Sequence, residues 1–279
     1  MKSIEFSHPT EIFYRSSLQT QTRTNMRFLS TSFLLVTVLV WSCNPEPEVD
    51  PGEETQAVSA LEAAEVAGTS LAEDDQGFTA TLSSSTLLAV TAQGQANGGG
   101  RMEVCGVTAD TTLVFNSPAT APVTFSYEFA YQTLLNCSNF NVPQSFDVDL
   151  TYSGSFDGPR YTSNNTGEGD MSVTNILPND ENFLVAGAWD RVGNSTFSAR
   201  EERSYTSTSS FTFADVQVSK STYEVVSGTA TLQINGTIDS GESFEYTASV
   251  TFLGDGQADI TIGDETFRVD LENGEVTQG

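Results

Sequence analysis

The sequence predicts an all-β domain over residues 76–279, an antiparallel meander of about 11–12 strands forming a β-sandwich or a rolled or closed sheet. Three observations carry this. Apolar and polar residues alternate with a period of two in successive runs, aromatic and β-branched residues dominate the runs, and Gly, Asn, Asp and Ser separate them.

The chain begins with a segment that does not belong to that domain. Arg27 precedes about fourteen mostly apolar residues that stop at Ser42-Cys43. A membrane-spanning helix needs roughly 20 such residues, so the run reads as a secretory signal over residues 26–42. Val40-Trp41-Ser42-Cys43 resembles the bacterial lipobox. The resemblance implies diacylglycerol attachment to Cys43 and cleavage before it, and two or three acyl chains anchor stably where one does not. A soluble signal ending near a cysteine, or an uncleaved anchor, are the alternatives. Met26 starts a signal of ordinary length, so residues 1–25 read as a misassigned or extended leader.

Residues 43–75 read as an acidic, proline-containing tether. Pro45, Pro47 and Pro51 stiffen it, and Glu46, Glu48, Asp50, Glu53 and Glu54 keep it solvated. Within it, Gln56–Leu71 is rich in Ala and Glu and predicts a short, weakly amphipathic helix through Val58, Leu61 and Leu71; no helix is expected beyond the tether. From Phe78 onward the period is two. Val123, Phe125, Tyr127, Phe129 and Tyr131 alternate with polar or small residues, as do Phe146, Val148, Leu150 and Tyr152, and Phe244, Tyr246, Ala248, Val250 and Phe252. Such alternation gives each sheet one buried and one wet face, the antiparallel habit. Two turns are explicit: Asp239-Ser240-Gly241-Glu242 between Ala230–Ile238 and Ser243–Leu253, and Gly263-Asp264 between Ala258–Ile262 and Glu265–Leu271.

Composition limits the chemistry. The chain holds 37 acidic and 11 basic residues, and removing a leader through Ser42 leaves a formal charge of −28. Nucleic acid and anionic lipid both require a basic surface, so neither is an expected charge partner. His8 is the one histidine and precedes Cys43, which removes Ser-His-Asp and Cys-His catalysis and histidine-bound metals from the mature chain. Setting Cys43 aside leaves Cys105 and Cys137, which in an exported chain read as a disulfide, two free buried thiols being the alternative.

Further landmarks follow in order: Cys105, Ala109-Asp110-Thr111-Thr112, Cys137, Phe146 to Gly154, Val226-Ser227-Gly228-Thr229 and a closing Gly263 to Val269. Together with the lipobox, this order resembles a group of Bacteroidetes lipoproteins that carry an all-β domain and to which no activity is assigned. The resemblance implies an outer-membrane, surface-facing address and an all-β fold; no cofactor is expected, calcium aside. It also implies a second cysteine pair in the closing half, which Leu253 to Asp259 does not contain. Acidic residues soon after Cys43 resemble the surface-export signal of such proteins, and Asp110-Thr111-Thr112 resembles their O-glycosylation acceptor, which would place a glycan on Thr111.

Candidate chemistry is sparse. Asp255-Gly256-Gln257-Ala258-Asp259 reads as a turn or, less well, as a calcium loop using Asp255 and Asp259. Glu168-Gly169-Asp170 and Asn179 to Asn182 read as similar loops. Asp147 and Asp149 share the wet face of a strand, the only arrangement bearing on a carboxylate-pair glycosidase, and nothing in the sequence selects them. Trp189, Tyr152, Tyr161 and Tyr205 read as carbohydrate platforms or core aromatics, and Arg200, Glu201, Glu202 and Arg203 as an ion-pair-rich turn. The expectation is a non-catalytic lipoprotein of the outer membrane, anchored through Cys43 and binding glycan or protein. A structural component of an envelope complex, and an enzyme using calcium or carboxylates, are the alternatives.

Overall fold

A computed structural model describes residues 58–95, 104–118, 120–200 and 202–279. The leader, the signal, Cys43 and the tether to residue 57 lie outside the described residues. Two helices come first, α1 (Ala60–Leu71) and α2 (Phe78–Gln95). Eleven strands follow: β1 (Thr108–Asn116), β2 (Thr124–Cys137), β3 (Pro143–Asp157), β4 (Tyr161–Thr174), β5 (Asn182–Phe197), β6 (Arg203–Ser219), β7 (Val225–Ile238), β8 (Ser243–Gly254), β9 (Gln257–Ile262), β10 (Glu265–Asp270) and β11 (Val276–Gln278). All pair in sequence order as one antiparallel sheet, with β1 and β11 as its two ends. The fold is thus all-β, and the rolled sheet, not the sandwich, is the arrangement adopted. It does not close into a barrel.

The sheet wraps the helices. α1 packs near β6 and β9 to β11, while α2 runs along β2 to β7. Across the opening, the Arg160 guanidinium in the β3–β4 turn donates to the carbonyls of Asn273 and Gly274 in the β10–β11 turn, at 3.2 and 3.0 Å. Gly68 of α1 lies so close to that turn that a Cβ would meet the Gly274 carbonyl at 2.6 Å. Phe78, the first residue of α2, sits among Trp189, Phe211, Phe213 and Phe252, with ring centroids 4.9–6.0 Å away.

Two expectations are corrected here. The tether ends earlier than residue 75. Val58 and Asp75 are fully buried, and α1 starts with a capping box in which Ser59 Oγ accepts from the Glu62 N–H and the Glu62 carboxylate accepts from the Ser59 N–H. The period-two reading also fails over Phe78–Gln95, which is helical. This helix is buried around much of its circumference, so it has no polar stripe to mark its period. Three of its hydroxyls are satisfied within the helix: Thr81, Thr86 and Thr91 each donate to the carbonyl four residues earlier, at 3.0–3.1 Å. A Ser- and Thr-rich segment can therefore sit inside an apolar sheet without unpaired hydroxyls at these positions.

The predicted turns hold. Residues 239–242 join β7 to β8, with Gly241 at φ 89°, and Gly263-Asp264 joins β9 to β10. Cys105 and Cys137 form a disulfide with a Cα–Cα distance of 5.6 Å, which ties the approach to β1 to the end of β2.

Candidate binding surface

The described interior is filled by helix and aromatic side chains, and its one ionic feature is structural. Asp75, in the α1–α2 loop, pairs with Arg191 of β5; the two are 0% and 3% exposed. Asp75 also accepts from Tyr127 Oη at 2.5 Å and from Ser163 Oγ at 3.0 Å, and Arg191 Nη1 donates to the Thr69 carbonyl at 3.2 Å. Burial pushes the Asp75 carboxyl up, and the Arg191 guanidinium and the hydroxyl donors pull against it. Burial also works against the Arg191 charge, but Asp75 and the surrounding tyrosines outweigh it and hold the guanidinium protonated. The network fixes the helical hairpin to β2, β4 and β5 and is closed to solvent.

The outward face over β1 to β5 is different. A shallow groove of about 680 Å³ runs across it, lined by Asp110, Asp149, Glu168, Asp170 and Asp190, with Ala130, Ala188 and threonines as its floor. Register creates it. Asp110, Gln132, Asp149, Asp170 and Ala188 stand in one row across five strands, and Thr112, Ala130, Thr151, Glu168 and Asp190 in the next. Neighbouring strands lie about 4.8 Å apart, so Asp149 directly opposes Asp170 and Glu168 directly opposes Asp190. Like charges directly opposite are unfavourable in a sheet, and no basic side chain lines the groove. At its far edge β5 carries a bulge between Val185 and Gly187, where Gly187 (φ 151°) passes so near β4 that a Cβ would meet the Asp170 carbonyl at 2.1 Å.

The other sequence candidates fall as follows. Trp189, Tyr152, Tyr161 and Tyr205 are all core, between 0 and 4% exposed, so none is a carbohydrate platform. Asp255 lies in the tight β8–β9 turn at φ 51°, and Asp259 pairs with Arg268 across β9 and β10 at 2.5 Å. These contacts make the stretch a turn followed by an ion-paired strand; among the described residues no three His, Cys, Asp or Glu side chains converge as a metal site. Glu168-Gly169-Asp170 is not a loop but the middle of β4, whereas residues 179–181 do lie in the β4–β5 connection. Asp149 is exposed as expected; Asp147 is half-buried and accepts from Asn136 and Ser172. Arg200 and Arg203 reach out of their own turn to Glu65 and Glu62 of α1. Thr111 lies within β1, half-buried, with Asp110 facing the groove.

Sequence reasoning placed Asp149 on the wet face but missed its four companions. Alternation identifies the faces of a strand, while the coincidence of residues from β1, β3, β4 and β5 depends on register between strands. Comparison with protein-family models, with curated proteins and with solved structures found no match for this chain.

Proposed function

We propose that the protein is a lipid-anchored, non-catalytic binding module of the outer membrane, held through Cys43 and facing outward, and that its groove over β1 to β5 receives a partner protein. The observation carrying this reading is the two pairs of directly opposed carboxylates, Asp149 with Asp170 and Glu168 with Asp190, with no basic side chain lining the groove. A cationic segment relieves that repulsion on binding, so the groove gains where the free sheet loses. A glycan meeting the same carboxylates by hydrogen bonds is the other ligand class of this reading. The burial of the Trp and Tyr candidates removes the stacking surface that would favour it.

Two measurements test it. Lysine-rich peptides and an array of neutral and charged glycans are titrated against the wild type and against the variant Asp149→Asn, Glu168→Gln, Asp170→Asn, Asp190→Asn. The expected result is peptide binding that weakens with salt and is lost in the variant. Glycan binding alone transfers the groove to the second ligand class, and equal binding by both proteins removes the groove as a site. The address is tested by Cys43→Ala, which should release the protein from carbonate-washed membranes. Continued retention would refute the anchor.

A further inference from the structure

The two ends of the sheet differ. β11 is three residues long, whereas β1 runs for nine residues in unbroken register from Thr108–Leu134 to Asn116–Ser126. Exposed sheet edges are ordinarily blunted by short strands, bulges, proline or lysine. β1 has none of these; its sequence is Thr-Ala-Asp-Thr-Thr-Leu-Val-Phe-Asn, with Asp110 its single charge. It is also held at both ends. The Cys105–Cys137 disulfide and the bond from Gly106 N–H to the Leu135 carbonyl fix its start, and the Ser117 N–H to Phe125 carbonyl bond fixes its finish. Because Ser117 turns toward β2, the antiparallel alternation turns the N–H and C=O groups of Asp110, Thr112 and Val114 away from β2, to the side where no strand lies among the described residues.

We propose that β1 is a docking edge that accepts, by strand addition, an extended segment of a partner protein in which apolar and basic residues alternate. The proposal rests on the reading of this protein as a binding module and names the class of its partner. Strand addition takes its affinity from main-chain hydrogen bonds and its selectivity from alternate side chains. On the inward face, Leu113 and Phe115 are half-buried against the core, and Phe115 packs on Phe129 at 5.7 Å, so apolar residues of an added strand continue that layer. On the outward face Asp110 opens onto the acidic groove, and Val114 stands 59% exposed beside it. A second copy of this chain is a poorer occupant, since two chains of formal charge −26 would bring their acidic grooves side by side. The chain's own residues 43–57 carry Glu46, Glu48, Asp50, Glu53 and Glu54 and meet the same objection.

The probe is a synthetic nonapeptide alternating valine and lysine. Its controls are a block-ordered isomer of the same composition and a version N-methylated at every second backbone nitrogen. Binding is followed by fluorescence anisotropy and by amide hydrogen exchange on the full-length protein. The alternating peptide should bind, slow exchange at Asp110, Thr112 and Val114, and outcompete both controls. Thr112→Pro removes one outward N–H and leaves the bonds to β2, as proline at an edge does; it should weaken binding about tenfold, the worth of one hydrogen bond. Should that variant not fold, Val114→Lys, which places a cation on the edge, should weaken the valine–lysine peptide and not a valine–glutamate one. Binding unaffected by Thr112→Pro, or equal binding of the methylated peptide, overturns the proposal. If binding survives Thr112→Pro but is lost in the four-carboxylate groove variant, the groove reading stands and the edge fails. If sedimentation shows a dimer that Thr112→Pro dissolves, the occupant is a second copy and the assignment of a partner protein is wrong.

Discussion

Asp75→Ala gives the sharpest test of how the helical hairpin is held inside the sheet. In the wild type the Asp75 carboxylate answers Arg191 and accepts from Tyr127 and Ser163. Truncation leaves Tyr127 Oη and Ser163 Oγ still accepting from Asn165 Nδ2, at 2.9 and 2.8 Å. Arg191 fares worse. At 3% exposure it keeps a single acceptor, the Thr69 carbonyl at 3.2 Å, and its charge has no counterion. Removing one partner of a buried ion pair destabilises by about 3–5 kcal/mol, whereas replacing both by apolar groups is often close to neutral. The expected order is therefore wild type, then Asp75→Ala with Arg191→Met, then Asp75→Ala alone, with the double variant recovering about 2 kcal/mol or more of the single loss. Urea unfolding followed by circular dichroism measures all three at constant m. A single-variant loss below about 1 kcal/mol would refute the argument, as would a double variant no more stable than the single one.

Two further outcomes follow from other parts of the core. Glu73 and Asp74 sit where the α1–α2 loop bonds to the backbone of Leu271 and Glu272. Burial first, then Glu224, Asp74 and Glu272, raises Glu73 to about 7, and burial with Glu272, Asp270 and Asp75 raises Asp74 to about 6. The folded protein thus holds protons that the unfolded chain releases, so stability contributed by these groups is highest below about pH 4.5 and falls as pH rises to 7. Thermal melts from pH 5 to pH 8 should show a decline that Glu73→Gln flattens, and an unchanged slope in that variant would remove Glu73 as its source. Replacing both Cys105 and Cys137 by Ser opens a bridge of sequence separation 32. Chain entropy sets the loss at about 3–4 kcal/mol, measured as a shift of the urea midpoint. Loss of exchange protection should begin at Ala109 and Thr111, the first amides of β1 turned toward β2 beyond the severed tie; protection lost first elsewhere would contradict the bracing of β1.

Much of the sheet was legible because period-two alternation is local. The β7–β8 and β9–β10 hairpins could be bounded from their own residues, Asp239 to Glu242 and Gly263-Asp264. The disulfide was legible from the count of cysteines, since setting Cys43 aside leaves only Cys105 and Cys137. α2 was not, because a helix surrounded by sheet carries no polar face, and its Ser and Thr residues resemble those of a hydrated strand. The role of α1 was hidden for a related reason. Its capping Ser59 and Glu62 are visible in the sequence, but Arg200 and Arg203, which hold it, lie far along the chain. The groove was the least legible feature, since its two rows exist only once β1 to β5 are in register.

The order in which the chain supplies its parts has a consequence for its biogenesis. The helices lead and the sheet that shelters them trails, so a chain made from its N-terminus presents its filling before its wrapping. Tyr246 closes on the Val58 carbonyl across 188 residues, and the turn that meets Gly68 is made only at Asn273-Gly274. Contacts this distant in sequence are slow to form. Until β9 to β11 are made, Val66 and Leu71 of α1 have no complete cover, which makes that interval the one in which the chain is most open to aggregation.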